Sequence, residues 1–325
     1  MKHGGLTSDD LVLQDLNSRD TFGFDCPWPV RRFRDSSDHV PVNDEGYRFV
    51  PDVTLPILAG FMHGRKVYVH GPHGSGKSSH IEQVASRLNW GCVRVNLDGH
   101  VTRADLVGRD MIVLRDGKQV TEFVPGILVW ALERPIALIF DEFDAGRPDV
   151  MFVIQRVLES EGKLTLLDQN RVITPHPGFR LFATANTAGQ GDSSGLYAGT
   201  QALNQAQMDR WQLVVELGYQ PKKEELDILM TRVPALDSEL GAGMVSLAAL
   251  SRRAFQQGDL SSFLSLRTLI IWGENIGLIG NPGESFRLTF LNRCDPLERQ
   301  LLAEFYQRCF NEELPVEEDD GNALY

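Results

Sequence analysis

Residues 66–88 read KVYVHGPHGSGKSSHIEQVASRL, and the fold turns on this stretch. It opens with a short apolar strand, Val67–Val69, and closes with a helix whose Ile81, Val84, Ala85 and Leu88 share one face. Between them lies Gly71-Pro72-His73-Gly74-Ser75-Gly76-Lys77-Ser78, a complete G-x-x-x-x-G-K-[ST] loop in the strand-to-helix setting the motif requires. Its glycines let backbone N–H groups turn inward around a phosphate, and the helix N-terminus adds unpaired donors and the positive end of its dipole. Lys77 then reaches the β- and γ-phosphates, and Ser78 offers a hydroxyl to Mg2+. The expected ligands are therefore ATP and Mg2+.

At 325 residues the chain has room for one α/β domain and a smaller one. A net charge of -12 disfavours a broad nucleic-acid-binding surface. Cys26, Cys92, Cys294 and Cys309 form no C-x-x-C pair, which fits reduced thiols better than a disulfide frame or a zinc site. The start shows no basic n-region followed by an apolar run, and no stretch reaches membrane-spanning length. The expectation is a cytoplasmic protein without membrane contact. His70, His73 and His80 are close in sequence but share no face, and two of them flank the phosphate loop, so a metal site there is disfavoured.

The expected organisation is a tail or docking linker over 1–50, an α/β nucleotide-binding domain over 51–220, a helical lid over 221–315 and a solvated acidic tail over 316–325. The first segment is expected to hold a short helix at Ser8–Leu16, and Cys26–Val30 is read as covering the edge of its own domain, the alternative being a small apolar anchor. Strands are expected at Val67–Val69, Val93–Leu97, Ile136–Phe140, Arg180–Asn186 and Gln212–Leu217, making a five-stranded, doubly wound parallel sheet. Asp116-Gly117 between Met111–Leu114 and Val120–Phe123 predicts an inserted β-hairpin. A second hairpin is expected from Leu164–Leu167 and Arg171–Ile173. Helices are predicted at Leu55–Met62, Val150–Ser160, Leu203–Asp209, Lys222–Arg232, Ser246–Gln256, Ser265–Glu274 and Pro296–Phe310. The Gly- and Ser-rich loop Thr187–Thr200 is expected to be mobile.

Ile136–Phe140 is a continuous apolar run, as expected of a parallel strand buried on both faces, and it ends in Asp141-Glu142. Ligands bind outside the carboxyl ends of such strands. Asp141 is thereby placed to hold Mg2+, and Glu142 to polarise the attacking water. Asn186, at the end of another buried strand, is placed to orient that water, the alternative being a loop cap. Arg267 starts a helix, where the dipole disfavours a cation unless an anion arrives; the alternative is a surface arginine.

With the P-loop, Asp141-Glu142, Asn186, Arg210 and Arg267 in this order, the chain resembles the AAA+ ATPases. Its two hairpins are similar to the helix-2 insert and pre-sensor-1 hairpin of the branch holding MoxR-type ATPases and magnesium chelatase motors. The strings HIEQVASRLNW (80–90), VRVNLDGH (93–100), GKQVTEF (117–123) and DAGRPDVMFVIQRVLES (144–160), with LTLLDQ, RLFATANT, NQAQMDRW, EFYQRCF and EELP, resemble the small AAA+ subunit of aerobic cobaltochelatase over residues 52–315. Leu266 stands where that family has proline, and the first 50 residues depart from its pattern.

The resemblance implies an ATP-hydrolysing motor that assembles as a hexameric ring. Its implied partners are a von Willebrand A-type subunit and a large corrin-binding subunit, which inserts Co2+ into hydrogenobyrinic acid a,c-diamide in cobalamin biosynthesis. Arg210, by its place in MDRW, corresponds to the arginine finger reaching a neighbour's γ-phosphate. Arg267, in SLRT, corresponds to the sensor-2 arginine acting within its own chain. The competing reading is a MoxR-like chaperone that matures another metalloenzyme with a von Willebrand A-type partner. A nucleic-acid motor is disfavoured by the acidic balance, and a non-hydrolysing scaffold by the joint presence of Glu142, Asn186 and Arg210.

Overall fold

The computed structural model describes residues 12–191 and 199–314. The chain enters through an antiparallel pair, β1 (Leu13–Leu16) on β2 (Val30–Phe33), linked by the short helix α1 (Ser18–Phe22). This corrects the expected helix at Ser8–Leu16, of which residues 8–11 lie outside the described part. Asn17 is the reason: its side chain accepts from the backbone N–H of Arg19 and Asp20, so the helix starts after it and the preceding chain stays extended. Phe22 and Val30 are buried in the core, and residues 12–50 pack along the α/β domain. Trp28 lies edge-on to His63, covering its own domain as expected of Cys26–Val30.

Helix α2 (Pro51–His63) begins at a proline, where the missing N–H costs nothing. It leads into β3 (Val67–His70), the P-loop helix α3 (Lys77–Arg87) and β4 (Gly91–Asn96). Helix α4 (Arg103–Val107) starts with a Thr102–Asp105 capping box and runs into the hairpin β5 (Gly108–Arg115) and β6 (Lys118–Pro125). Asp116 and Gly117 both take positive φ, 50° and 75°, the turn that matches strand twist. Next come α5 (Ile127–Leu132), β7 (Ile136–Asp141), α6 (Pro148–Leu158), the second hairpin β8 (Leu164–Leu166) with β9 (Arg171–Ile173), and β10 (Arg180–Ala185). Helix α7 (Gln205–Met208) and β11 (Leu213–Glu216) complete the domain. Residues 192–198 of the loop expected to be mobile lie outside the described part, as does the acidic tail 316–325.

The five central strands are all parallel, in the order β11-β3-β10-β7-β4. On β7, Leu138 and Phe140 enter the cluster under α5 and α6, whereas Ala137 and Ile139 enter the one under α2 and α3. Both faces are buried, which is why the strand reads as one apolar run. Because β3, β10 and β7 are neighbours, the P-loop, Asn186 and Asp141-Glu142 emerge side by side at one edge of the sheet.

The remaining helices, α8 (Lys222–Arg232), α9 (Ser238–Gln257), α10 (Leu266–Ile279), α11 (Pro282–Thr289) and α12 (Pro296–Phe310), enclose their own core around Trp272, Phe286, Phe290 and Tyr306. Helix α9 starts well before the expected Ser246, and α11 was not expected. A side chain at Gly243 would meet the Phe310 ring at 2.5 Å, so the glycines that hide this helix in the sequence are what let α12 pack closely. Arg252 and Glu225 form a buried pair at 2.7 Å beneath Tyr219. The strap before α2 joins the two domains: Asp44 pairs with Arg232 of α8, and its N–H donates to Gln83 of α3 at 2.9 Å. Among the described residues, no helix is long and apolar enough to cross a membrane.

His80 occupies the core under α2, with Thr54 Oγ1 2.8 Å from Nε2 and the Tyr47 and Phe49 rings edge-on. Burial lowers its pKa from 6.5 to about 4. Between those values the unfolded chain binds the extra proton, so stability falls as pH drops through the window. His80→Gln is expected to give a shallower acid limb, losing at least about 2 °C less than the parent on acidification. Thermal unfolding from pH 6.5 to 4 checks this.

Candidate nucleotide site

The loop after β3 is shaped by close approaches. A Cβ at Gly71 would lie 2.1 Å from the Leu217 carbonyl oxygen, so only glycine fits beside β11. Gly76 caps α3 at φ 89°, a left-handed conformation that side chains resist. A Cβ at Gly74 would sit 2.8 Å from Ser265 of the lid, so loop and lid are in contact.

Lys77 is buried and donates to Gly71 O at 2.9 Å, Pro72 O at 3.0 Å and Asn186 Oδ1 at 3.1 Å. Burial lowers its pKa to about 8, against the opposing pull of Asp141, Asp144 and Glu142. His73 is also lowered, first by burial and then by the Lys77 charge. Ser78 Oγ donates to Asp141 Oδ1 at 2.6 Å, and Thr184 Oγ1 donates to the same oxygen. Asp141 Oδ2 takes Arg94 Nε at 2.8 Å.

Glu142 adopts φ 54° and ψ 44°, turning the chain out of β7 into a 3-10 turn, Phe143–Ala145. Such a conformation costs a non-glycine residue about 1–2 kcal/mol. The turn carries Asp144, 1% exposed, whose Oδ2 accepts from the backbone N–H groups of Asn186 and Thr187 and from the Thr187 hydroxyl, at 2.9–3.1 Å. The carbonyl of Asp144 accepts from Gln201 N at 2.7 Å, so one residue ties the end of β10 to the far side of the following loop.

Arg267 is the second residue of α10, behind the cap Ser265, whose hydroxyl accepts from Thr268 N. It lines a cleft of about 580 Å3 between the domains, with His73, Glu142, Asn186, Phe263 and Arg293. It also lines a smaller cavity of about 130 Å3 against the P-loop with Lys77, Ser78, Arg94 and Asp141. The structure thus assembles the P-loop, Asp141, Glu142, Asn186 and Arg267 around one cleft. Arg210 lies elsewhere, held by Glu159 at 2.7 and 2.9 Å and by the Ala206 carbonyl. The sequence reading missed Arg94, Asp144 and Thr184. Their only sequence signal is position, on strands flanking Asp141 or just behind it.

Residues 66–202 match the AAA domain of the dynein-related subfamily. The aerobic cobaltochelatase subunit CobS of Sinorhizobium sp is 58% identical over 303 residues, covering 92% of this chain and 91% of that protein. The chain belongs to this family of AAA-type cobaltochelatase subunits. The alignment is longer than the 52–315 stretch whose strings carried the resemblance, so it takes in flanking residues as well. The denitrification regulatory protein NirQ of Stutzerimonas stutzeri is 29% identical, covering 66% of this chain and 74% of its own. Among solved structures, the Holliday junction branch migration motor RuvB of Thermotoga maritima is 15% identical, covering 78% of this chain and 66% of that one at a TM-score of 0.46.

A family member of this kind uses nucleotide, and a phosphate bound next to Lys77 would restore the charge that burial weakens. Above a pH of about 8, ATP binding is therefore expected to take up a proton at Lys77, and affinity to fall as pH rises. Calorimetry at alkaline pH in two buffers of different ionisation heat measures the uptake. An uptake that persists in Lys77→Arg would refute the assignment.

Proposed function

We propose that this chain is the ATP-hydrolysing motor subunit of an aerobic cobaltochelatase, driving Co2+ insertion into hydrogenobyrinic acid a,c-diamide in cobalamin biosynthesis. The observation that carries this reading is the 58% identity to CobS, spread over nine-tenths of both chains. Co2+ is cargo for a partner subunit, so the role asks for no cluster of metal-ligating side chains on this chain.

In this reading the P-loop amides and Lys77 bind the β- and γ-phosphates. Ser78 and Asp141 are hard oxygen donors already in contact, a set that suits Mg2+. Bound there, the ion would neutralise phosphate charge. Glu142 polarises the attacking water, Asn186 orients it, and Asp144 fixes the backbone that carries Asn186. Arg267 adds positive charge from the lid, so the state of the phosphate bears directly on lid position. Arg210 stands outside its own chain's cleft, which favours a role in the neighbouring subunit of a hexameric ring. The ring would act in the cytoplasm on a von Willebrand A-type subunit and the large corrin-binding subunit.

The test is cobalt insertion by the reconstituted mixture of the three subunits. The parent is expected to support ATP-dependent insertion, and Glu142→Gln to bind ATP while hydrolysis and insertion fall by about 100-fold or more. Should the parent hydrolyse ATP without insertion alongside verified partners, a MoxR-like chaperone role replaces this one. Arg210→Ala is expected to form rings whose turnover drops by about 1,000-fold; rings as active as the parent would remove the finger assignment.

A further inference from the structure

Arg94 remains unused once the phosphate site is accounted for. It lies on β4, the edge strand beside β7, two residues before Asn96, which faces Asp141 across the sheet. Its Nε forms an ion pair with Asp141 Oδ2 at 2.8 Å, and its Nη1 forms a longer one with the carboxylate of Glu82 at 4.0 Å. Glu82 is one turn beyond Ser78 on α3, so that both project from the same side of the helix. The guanidinium therefore stands between two carboxylates, paired closely with one and a short side-chain movement from close contact with the other. It also lines the smaller cavity against the P-loop together with Lys77, Ser78 and Glu142.

The two oxygens of Asp141 are engaged differently. Oδ1 takes the hydroxyls of Ser78 and Thr184, neutral donors that keep its negative charge available. Oδ2 takes a full positive charge. An arginine on a carboxylate neutralises part of its charge and so weakens its pull on any second cation. Arg94 and a divalent cation thus compete for the charge of one residue, and Glu82 offers Arg94 somewhere else to go.

We propose that Arg94 is a positioning residue that sets how much Mg2+ nucleotide binding requires, passing from Asp141 to Glu82 as the ion is taken up. This rests on the nucleotide reading of the cleft. The exchange makes the site selective for nucleotide that arrives with its metal: the ion must displace a built-in cation before Asp141 can serve it. Two substitutions then act in opposite directions. Removing the charge in Arg94→Gln frees Asp141, whereas removing the second acceptor in Glu82→Gln confines Arg94 to Asp141.

The experiment is a Mg2+ titration of the full chain at a fixed concentration of a fluorescent ATP analogue, read by anisotropy, with a parallel series in EDTA. Arg94→Gln is expected to lower the half-saturating Mg2+ concentration by about tenfold, and Glu82→Gln to raise it by several-fold. Shifts in the same direction for both variants, or no shift in either, would overturn the proposal. So would a loss of binding in Arg94→Gln that is equally large in EDTA, because Arg94 would then be a direct phosphate ligand. Glu82→Gln alone decides the matter if Arg94→Gln unfolds below the assay temperature. Absence of analogue binding by the parent itself, with or without Mg2+, would instead bring down the nucleotide reading on which the proposal stands.

Discussion

The site depends on burying an ammonium group. Lys77 is taken out of water at the mouth of the P-loop, where desolvation alone would drive it towards the neutral form. Three oxygens accept its protons, and three carboxylates on the chain leaving β7 supply the counter-charge. These groups come from different parts of the sequence and meet only because β3, β10 and β7 are adjacent parallel strands. Strand order is therefore a chemical constraint here as well as an architectural one. An incoming phosphate would enter a site whose positive charge is already placed.

The same strand ends are cross-tied among themselves. Thr184 and Ser78 fix Asp141, and Asp144 fixes the backbone of Asn186, so β3, β7 and β10 cannot shift independently at the cleft. The helical domain has its own core and lines the cleft opposite the P-loop with Phe263, Ser265, Arg267 and Arg293 among others. A second tie comes from the strap, where Asp44 holds Arg232 while its backbone holds α3.

Much of this was legible in the sequence because it is local. The P-loop, the Asp116-Gly117 turn, the double-faced apolar strand before Asp141, and the bounds of α8 and α12 each follow from residues within one element. The pieces that escaped depend on contacts between distant residues. Gly241 and Gly243 read as helix breakers until α8 and α12 are packed against them. The pairing of β1 with β2 is hidden in a polar, proline-rich segment, and the polar cap Asn17 is a weak cue beside the apolar residues before it. Arg94 and Asp144 look like ordinary surface charges until β4 and β10 flank β7. Arg210 came from resemblance alone, and nothing in its surroundings would have singled it out.

Its surroundings do bear on whether it is free to act. The pair with Glu159 is partly exposed, at 29% and 44% of the two side chains, and pairs of this kind contribute only about 0–1 kcal/mol. A phosphate carrying several negative charges is a stronger partner for a guanidinium than one solvated carboxylate. Glu159 therefore orients Arg210 without trapping it. Because Lys66 donates to the carbonyls of Leu158 and Glu159 from the start of β3, the residue that orients Arg210 is itself tied to the strand that leads into the P-loop. Under the proposed finger role, the start of one subunit's P-loop strand would thus be tied to the residue acting on its neighbour's nucleotide.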